Sequence, residues 1–322
     1  MKNFLKLLIT LFIIFLLLKF NVIDFSGIKN ISHNYKYILY ILFLMVITMP
    51  LGALRWWSLL KSERYNISYW NAYLLYSTGL FFNIFMPGGA GGDIAKGYYL
   101  FKHVEKNQRI LAIFTILVDR VVGLHALLFT ISLFGIIISE KIFFNSDLHK
   151  LFNIILIIMI VSVPAILIVI NYSGLIKKYI EKRKSIFLGN IAYEIFSSLE
   201  IYKNRKFVLF KCWSLSLVNH FCLLSCFYIT SIFLNINIFD YFEAAFIGGV
   251  SLITNAVPLT PGGIGIGEST FNYLSQFFYN NQNIAFGSIF FITVRVLFNF
   301  ICLSGAISFV IIKKPENLYK KI

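Results

Sequence analysis

Long apolar runs separated by short polar ones dominate the chain. Six of them reach or approach the roughly 20 residues that a transmembrane helix needs. They are Phe4–Phe20, Tyr37–Leu54, Ile110–Ser139, Leu151–Ile170, Phe207–Leu234 and Ile284–Ile312. Two further apolar stretches, Tyr69–Met86 and Tyr241–Val257, each run into a Pro-Gly-Gly loop that a second short helix follows. Interrupted backbone is tolerated at membrane depth only where protein buries it or where it lines a wet cavity. Each is therefore read as a re-entrant hairpin of half-helices, entering and leaving on one side. The pattern predicts an all-α polytopic membrane protein with about six full spans and two hairpins; a plain hydropathy count gives eight spans. One polar stretch carries its own period. Phe187, Ile191, Ile195 and Leu199 recur four apart, which predicts an amphipathic helix over Ile186–Tyr202 lying on the membrane.

The two interrupted segments look like copies. Asn83–Asp93 reads NIFMPGGAGGD and Asn255–Glu268 reads NAVPLTPGGIGIGE. Each has an Asn, then Pro-Gly-Gly, more glycine and one carboxylate. An arginine follows each carboxylate by 27 residues, Asp93 to Arg120 and Glu268 to Arg295, so both charged positions repeat at an offset of 175. Three full spans separate the hairpins, an odd number, so the second is expected to point the opposite way to the first. The expectation is one transmembrane domain over 1–322, with inverted pseudo-repeats at about 1–140 and 151–322. Broken, glycine-rich, charged segments at matching places in two halves are the best sequence pointer to a transporter's binding site.

Composition supports the membrane reading: 58% of residues are hydrophobic and 13% charged. The net charge of +15 does not indicate nucleic acid, because the longest polar stretch, Asn171–Lys206, is too short for an independent basic domain. The charge instead reports topology, since Lys and Arg gather on cytoplasmic loops. With the N-terminus inside, 22 of the 29 basic residues fall inside and five outside (Lys19, Lys29, Lys36, Lys141 and Lys150). Arg120 and Arg295 lie within spans. The expected location is the cytoplasmic (inner) membrane, multi-pass, with both termini cytoplasmic. Phe4–Phe20 lacks a small-residue cleavage site and is read as an uncleaved first span. The run Lys177–Lys184 is expected to attract an anionic lipid surface.

The candidate chemistry gathers at the two hairpins. Gly88, Gly89, Gly91 and Gly92, with Gly262, Gly263, Gly265 and Gly267, permit tight turns and leave N–H groups facing outward. A helix that starts after such a loop presents its positive end to a phosphate. Pro87, Pro258 and Pro261 break the first half-helices. Asp93 and Glu268, costly near the membrane interior, have Arg120 and Arg295 as natural partners. Asp119 adjoins Arg120, but neighbours on a helix point about 100° apart and need not pair. The charges can lock the hairpins, grip a lipid phosphate, or carry protons that couple transport. Asn83, Asn255 and Asn299 are expected to cap half-helices or to meet headgroups. Arg55, Trp56 and Trp57 read as an interfacial anchor at the end of the second span. His125 and His220, and Cys212, Cys222, Cys226 and Cys302, have no metal or redox spacing and read as packing residues. No metal or cofactor is expected.

At these residues the chain resembles a known family. FMPGGAGGDIAKGY (Phe85–Tyr98), DRVVGL (Asp119–Leu124) and PLTPGGIGIGE (Pro258–Glu268) look like the signature of the lysylphosphatidylglycerol synthase transmembrane family, which includes the flippase half of the multiple peptide resistance factor. The resemblance covers nearly the whole chain. It implies two re-entrant hairpins and a role in moving a lipid, or a lipid-linked molecule, between leaflets. It also marks Asp93, Asp119, Arg120, Pro261, Gly262, Gly263 and Glu268. The resistance factor carries a soluble aminoacyl-transferase domain after its membrane part. This chain ends ten residues after Ile312, so synthesis of lysyl-lipid is not expected. The expected function is thus flippase-like transport of a membrane lipid or lipid-linked anion, not enzymatic. Two alternatives stay open: a membrane enzyme acting on a lipid-linked phosphate or sugar, and a non-transporting partner of a lipid or glycan synthase. Association into a homo-oligomer is compatible with all three.

Overall fold

A computed structural model describes residues 35–84, 90–101, 104, 109–181, 187–236, 238–257, 265–278 and 286–312. The expected first span, Phe4–Phe20, lies outside them, as do Pro87–Gly89 and Pro258–Ile264. The described part is helical throughout, in the order α1 (Tyr35–Ser62), α2 (Tyr69–Asn83), α3 (Ala90–Phe101), α4 (Arg109–Ile137), α5 (Ser139–Phe143), α6 (Ser146–Glu181), α7 (Phe187–Asn204), α8 (Lys206–Phe233), α9 (Tyr241–Asn255), α10 (Ile266–Phe278), α11 (Phe286–Cys302) and α12 (Gly305–Ile311). Among the described residues five helical stretches are long and apolar enough to cross a membrane: α1, α4, α6, α8 and the run Gly287–Ile311. The protein is an all-α polytopic membrane protein.

Both interrupted segments fold as pairs of short helices. α2 packs on α3 and α9 packs on α10, and α4, α6 and α8 intervene in sequence. Local chemistry fixes their ends. The Ser68 hydroxyl caps α2 by accepting from the Asn71 N–H at 3.2 Å. A reciprocal capping box starts α9, with the Asp240 carboxylate accepting from the Glu243 N–H and the Glu243 carboxylate from the Asp240 N–H, each at 2.9 Å. Lys141 of α5 reaches both carboxylates and ties the α4–α6 connection to that end of α9.

Two large apolar cores hold these pairs. One, around Phe134, Phe227, Phe246 and Phe271, joins α4, α8, α9, α10 and α11. The other, around Trp56, Leu60, Leu75 and Leu100, joins α1, α2, α3 and α4. The most apolar 18-residue window of α6 is only 11% buried, so this helix turns its surface to lipid. At about 1.5 Å per residue its 36 residues also overrun the roughly 30 Å hydrocarbon layer. α7 folds back along that overrun. Its Glu200 pairs with Lys177 at 2.9 Å, and Ser198 and Tyr202 are buried. The amphipathic helix therefore forms, but its inner face rests on protein.

Beyond the longer α6, two other boundaries differ from the sequence expectation. α1 runs on from Leu54 to Ser62, so Arg55 and Trp56 are interior residues, 8% and 0% exposed. The last apolar run breaks after Cys302 and resumes at Gly305. A side chain at Gly305 would collide with the Ser77 carbonyl, so the glycine lets α12 lie directly on α2. The Ser77 hydroxyl donates to the Ser308 hydroxyl across that contact at 2.8 Å.

Candidate functional site

The first hairpin builds a cluster of three charges. Asp93 lies in the first turn of α3, where the helix dipole favours a carboxylate. Its Oδ2 accepts from Arg120 Nε at 2.7 Å, and its Oδ1 lies 3.0 Å from Lys96 Nζ. One carboxylate thus serves two cations. Lys96 is 5% exposed, and its ammonium also lies over the rings of Tyr76 and Trp56, at 5.0 and 5.4 Å from their centroids. Cation–π attraction of this kind is worth more when the cation is desolvated. The Arg120 side chain is 45% exposed, so the cluster has a buried cation behind and an open one in front.

Glycine and asparagine hold that geometry together. The Asn83 Oδ1 accepts from the Gly92 N–H at 2.6 Å, satisfying one of the N–H groups that a helix start leaves without a partner. Asn83 is thus a cap, delivered from the end of α2 to the start of α3. Gly91 and Gly92 are both buried. A side chain at Gly92 would strike the Gly79 carbonyl and Asn83.

The second hairpin repeats the ion pair but not the surroundings. Arg295 Nη1 lies 2.7 Å from Glu268 Oε1, and both side chains are 11% exposed. The Glu268 Oε2 accepts from the Gly265 N–H at 2.9 Å, so the carboxylate caps its own helix. Gly265 has φ +93°, which only glycine adopts without strain. Asn255 departs from the capping expectation: its Oδ1 accepts from Arg295 Nη2. Phe291 lies under the guanidinium at 5.1 Å, and at the 175-residue offset Phe271 stands where the first half has the cation Lys96. The first cluster is therefore net positive and the second neutral.

Asp119 belongs to a third pair that sequence reading missed. It faces Arg55 of α1, whose Nε and Nη2 donate to Oδ1 and Oδ2 at 2.6 and 3.0 Å. Arg55 Nη1 donates to the Ser216 hydroxyl of α8 at 2.9 Å. The fork satisfies the planar geometry that arginine offers a carboxylate. Asp119 is 1% exposed, and this contact joins three helices. Arg55 is thus an interior ion-pair residue, not an interfacial anchor. No local signal marks it, because its partner lies 64 residues away. Lys96 was also missed as a site residue, although its spacing of three from Asp93 on one helix does place the two on one face.

Among the described residues, the remaining candidates are not drawn into these clusters. Asn299 is half-buried on α11, and among the described residues no hydrogen bond joins its side chain to either ion pair. Gly88, Gly89, Pro261, Gly262 and Gly263 lie outside the described residues. His220 Nε2 meets the Gly123 carbonyl at 2.9 Å, and His125 Nδ1 accepts from the Trp213 indole at 3.0 Å. Cys212, Cys226 and Cys302 are buried free thiols, and Cys222 is half-buried. Among the described residues no three His, Cys, Asp or Glu side chains come close enough to hold a metal ion.

Comparison with known proteins agrees with this architecture. The profile described as the lysylphosphatidylglycerol synthase TM region matches residues 3–302. A UPF0104 membrane protein of Methanocaldococcus jannaschii is 25% identical over 190 residues. That match spans 55% of this chain and 55% of the archaeal protein, so the chain covers about half the length of that relative. No solved structure matches.

Proposed function

The chain belongs to the lysylphosphatidylglycerol synthase TM region family, and from that premise we propose that it is a flippase-like transporter carrying an anionic lipid, or a lipid-linked anion, between leaflets. One observation carries the reading. Asp93 is shared by Lys96 and Arg120, which leaves a net positive charge at the start of a half-helix, and Arg120 is 45% exposed. A guanidinium fork beside a helix start is well shaped for a phosphate. The headgroup would exchange with Asp93 for Arg120, while the second cluster, neutral and 11% exposed, closes the other side. The half-helix pairs would face opposite sides of the membrane, with both termini cytoplasmic, as the distribution of basic residues favours. No nucleotide-binding motif accompanies the hairpins, so movement would be downhill or coupled to an ion. The enzymatic alternative asks Asp93 and Glu268 to act as acid, base or metal ligand, whereas each is engaged in an ion pair.

The test is lipid transfer in proteoliposomes, using fluorescent anionic and zwitterionic lipids. The native chain is expected to move the anionic lipid faster. Arg120→Ala is expected to remove that selectivity, and Glu268→Gln to slow transfer of either lipid, with both variants still eluting as folded protein. Transfer unaffected by both substitutions would overturn the proposal.

A further inference from the structure

Away from the charged hairpins, α6 leans on α4 and α7 and leaves an apolar groove of about 570 Å³ between α4, α6 and α8. Phe114, Val118 and Val122 form one wall, and Ile166 and Ile170 of α6 face them. Of the lining side chains only His125, Trp213, Tyr202 and Lys206 carry a polar atom, and the first two are hydrogen-bonded to each other. From Phe114 to His125 the groove follows α4 for about 16 Å at 1.5 Å per residue. That is about half of a roughly 30 Å hydrocarbon core, the depth of one leaflet.

The two ends of the groove differ. Leu199 and Tyr202, at the end of α7, form its floor, and Lys206, the first residue of α8, stands beside them. Lys203, Lys206 and Lys211 are all exposed around this end. In a bilayer, tails are as apolar as the groove, so burial alone does not drive a lipid into it. Selection has to come from concave contact on several sides and from charge at the headgroup. The groove supplies the first, and Lys206 the second.

We propose that this groove is a binding site for one acyl chain of an anionic bilayer lipid, with the tail against α4 and the phosphate at Lys206. It is separate from the hairpin clusters and stands whether or not the chain translocates lipid.

Photo-crosslinking reads it directly. The full chain is reconstituted with trace phosphatidylglycerol or phosphatidylcholine carrying a diazirine in the tail, irradiated, and mapped by peptide mass spectrometry. Label is expected to concentrate on peptides holding Phe114–His125 and Leu209–Trp213, above the level on the outer face of α6 at Ile154–Val161. A single lysine near the surface corresponds to about a fivefold preference for phosphatidylglycerol. Lys206→Gln, at an exposed position, is expected to abolish that preference and leave the fold intact. Ala165→Trp, which fills the groove, is expected to remove the label. Equal labelling of groove and outer face, or equal labelling by the two lipids, overturns the proposal. So does an unlabelled groove accompanied by a dimer on lysine cross-linking, since the occupant is then a second copy. The readout is binding, so it is independent of the transfer assay.

Discussion

At the residue scale, buried charges decide what each substitution does. Arg55 and Asp119 are 8% and 1% exposed and meet through two hydrogen bonds. Removing one partner from such a pair strands the other charge and costs about 3–5 kcal/mol, whereas replacing both by apolar groups is often neutral. Arg55→Met and Asp119→Leu are each expected to lower the unfolding temperature in detergent by several degrees, and the double variant to recover most of the loss. A double variant as unstable as the worse single one would contradict the pairing. Glu63 makes a different case, just past the end of α1. Burial raises its carboxyl from 4.5 to about 7, while the hydrogen bond from Ser198 and the charge of Arg205 pull it down. The folded chain then holds a proton that the unfolded chain has released between those values. Stability should fall as pH rises through that window, and the loss is complete above about 7. Glu63→Gln keeps an acceptor for Ser198 without the charge. It is expected to flatten the fall, raising the unfolding temperature at pH 8 and leaving it unchanged at pH 4; equal shifts at both values would refute the assignment.

At the element scale, close helix approach makes particular glycines irreplaceable and leaves others free. Gly92 sits where α2 and α3 touch, and any side chain there meets the Gly79 carbonyl and Asn83. Overpacking of this kind costs about 1–3 kcal/mol and would also displace the Asn83 cap beside Asp93. Gly97, five residues further along α3, has only the Ile116 Cδ1 in reach, at 3.9 Å. Alanine is the better helix former by about 1 kcal/mol. Gly92→Ala should therefore lower both thermal stability and transfer, while Gly97→Ala should leave both intact or slightly improved. Loss of stability in both variants to the same extent would show that helix approach is not the deciding factor.

At the scale of the whole molecule, the arrangement carries a direction. Basic residues cluster at the end of the bundle that holds Lys177, Lys203 and Lys206, while Lys141 lies in the short helix α5 and Lys150 near the start of α6, at the other end of that helix from Lys177. In the proposed orientation, which follows the positive-inside rule, the first end would face the cytoplasm. With Cys222 replaced by alanine, Lys150→Cys is expected to react with a membrane-impermeant maleimide on intact cells. Lys203→Cys should react only after permeabilisation. Labelling in the reverse pattern would invert the molecule.

The sequence by itself determined the helical membrane class, the interruption of two segments by Pro-Gly-Gly, and the pairing of Asp93 with Arg120 and Glu268 with Arg295. These are legible because hydrophobic length is a property of contiguous residues, and because a carboxylate and an arginine at the same spacing in both halves leave few other partners within the membrane. Tertiary structure alone decided the rest. It placed Arg55 inside α1 opposite Asp119, set Lys96 over Trp56 and Tyr76, made Asn255 an arginine ligand, and opened the groove above Lys206. A charged residue reads as an end of a span until another helix brings its counter-charge. That counter-charge comes from 64 residues away for Arg55, and a groove exists only where packed helices diverge. Neither the neutralisation of a buried ion nor the gap between two helices is written in the residues next to it.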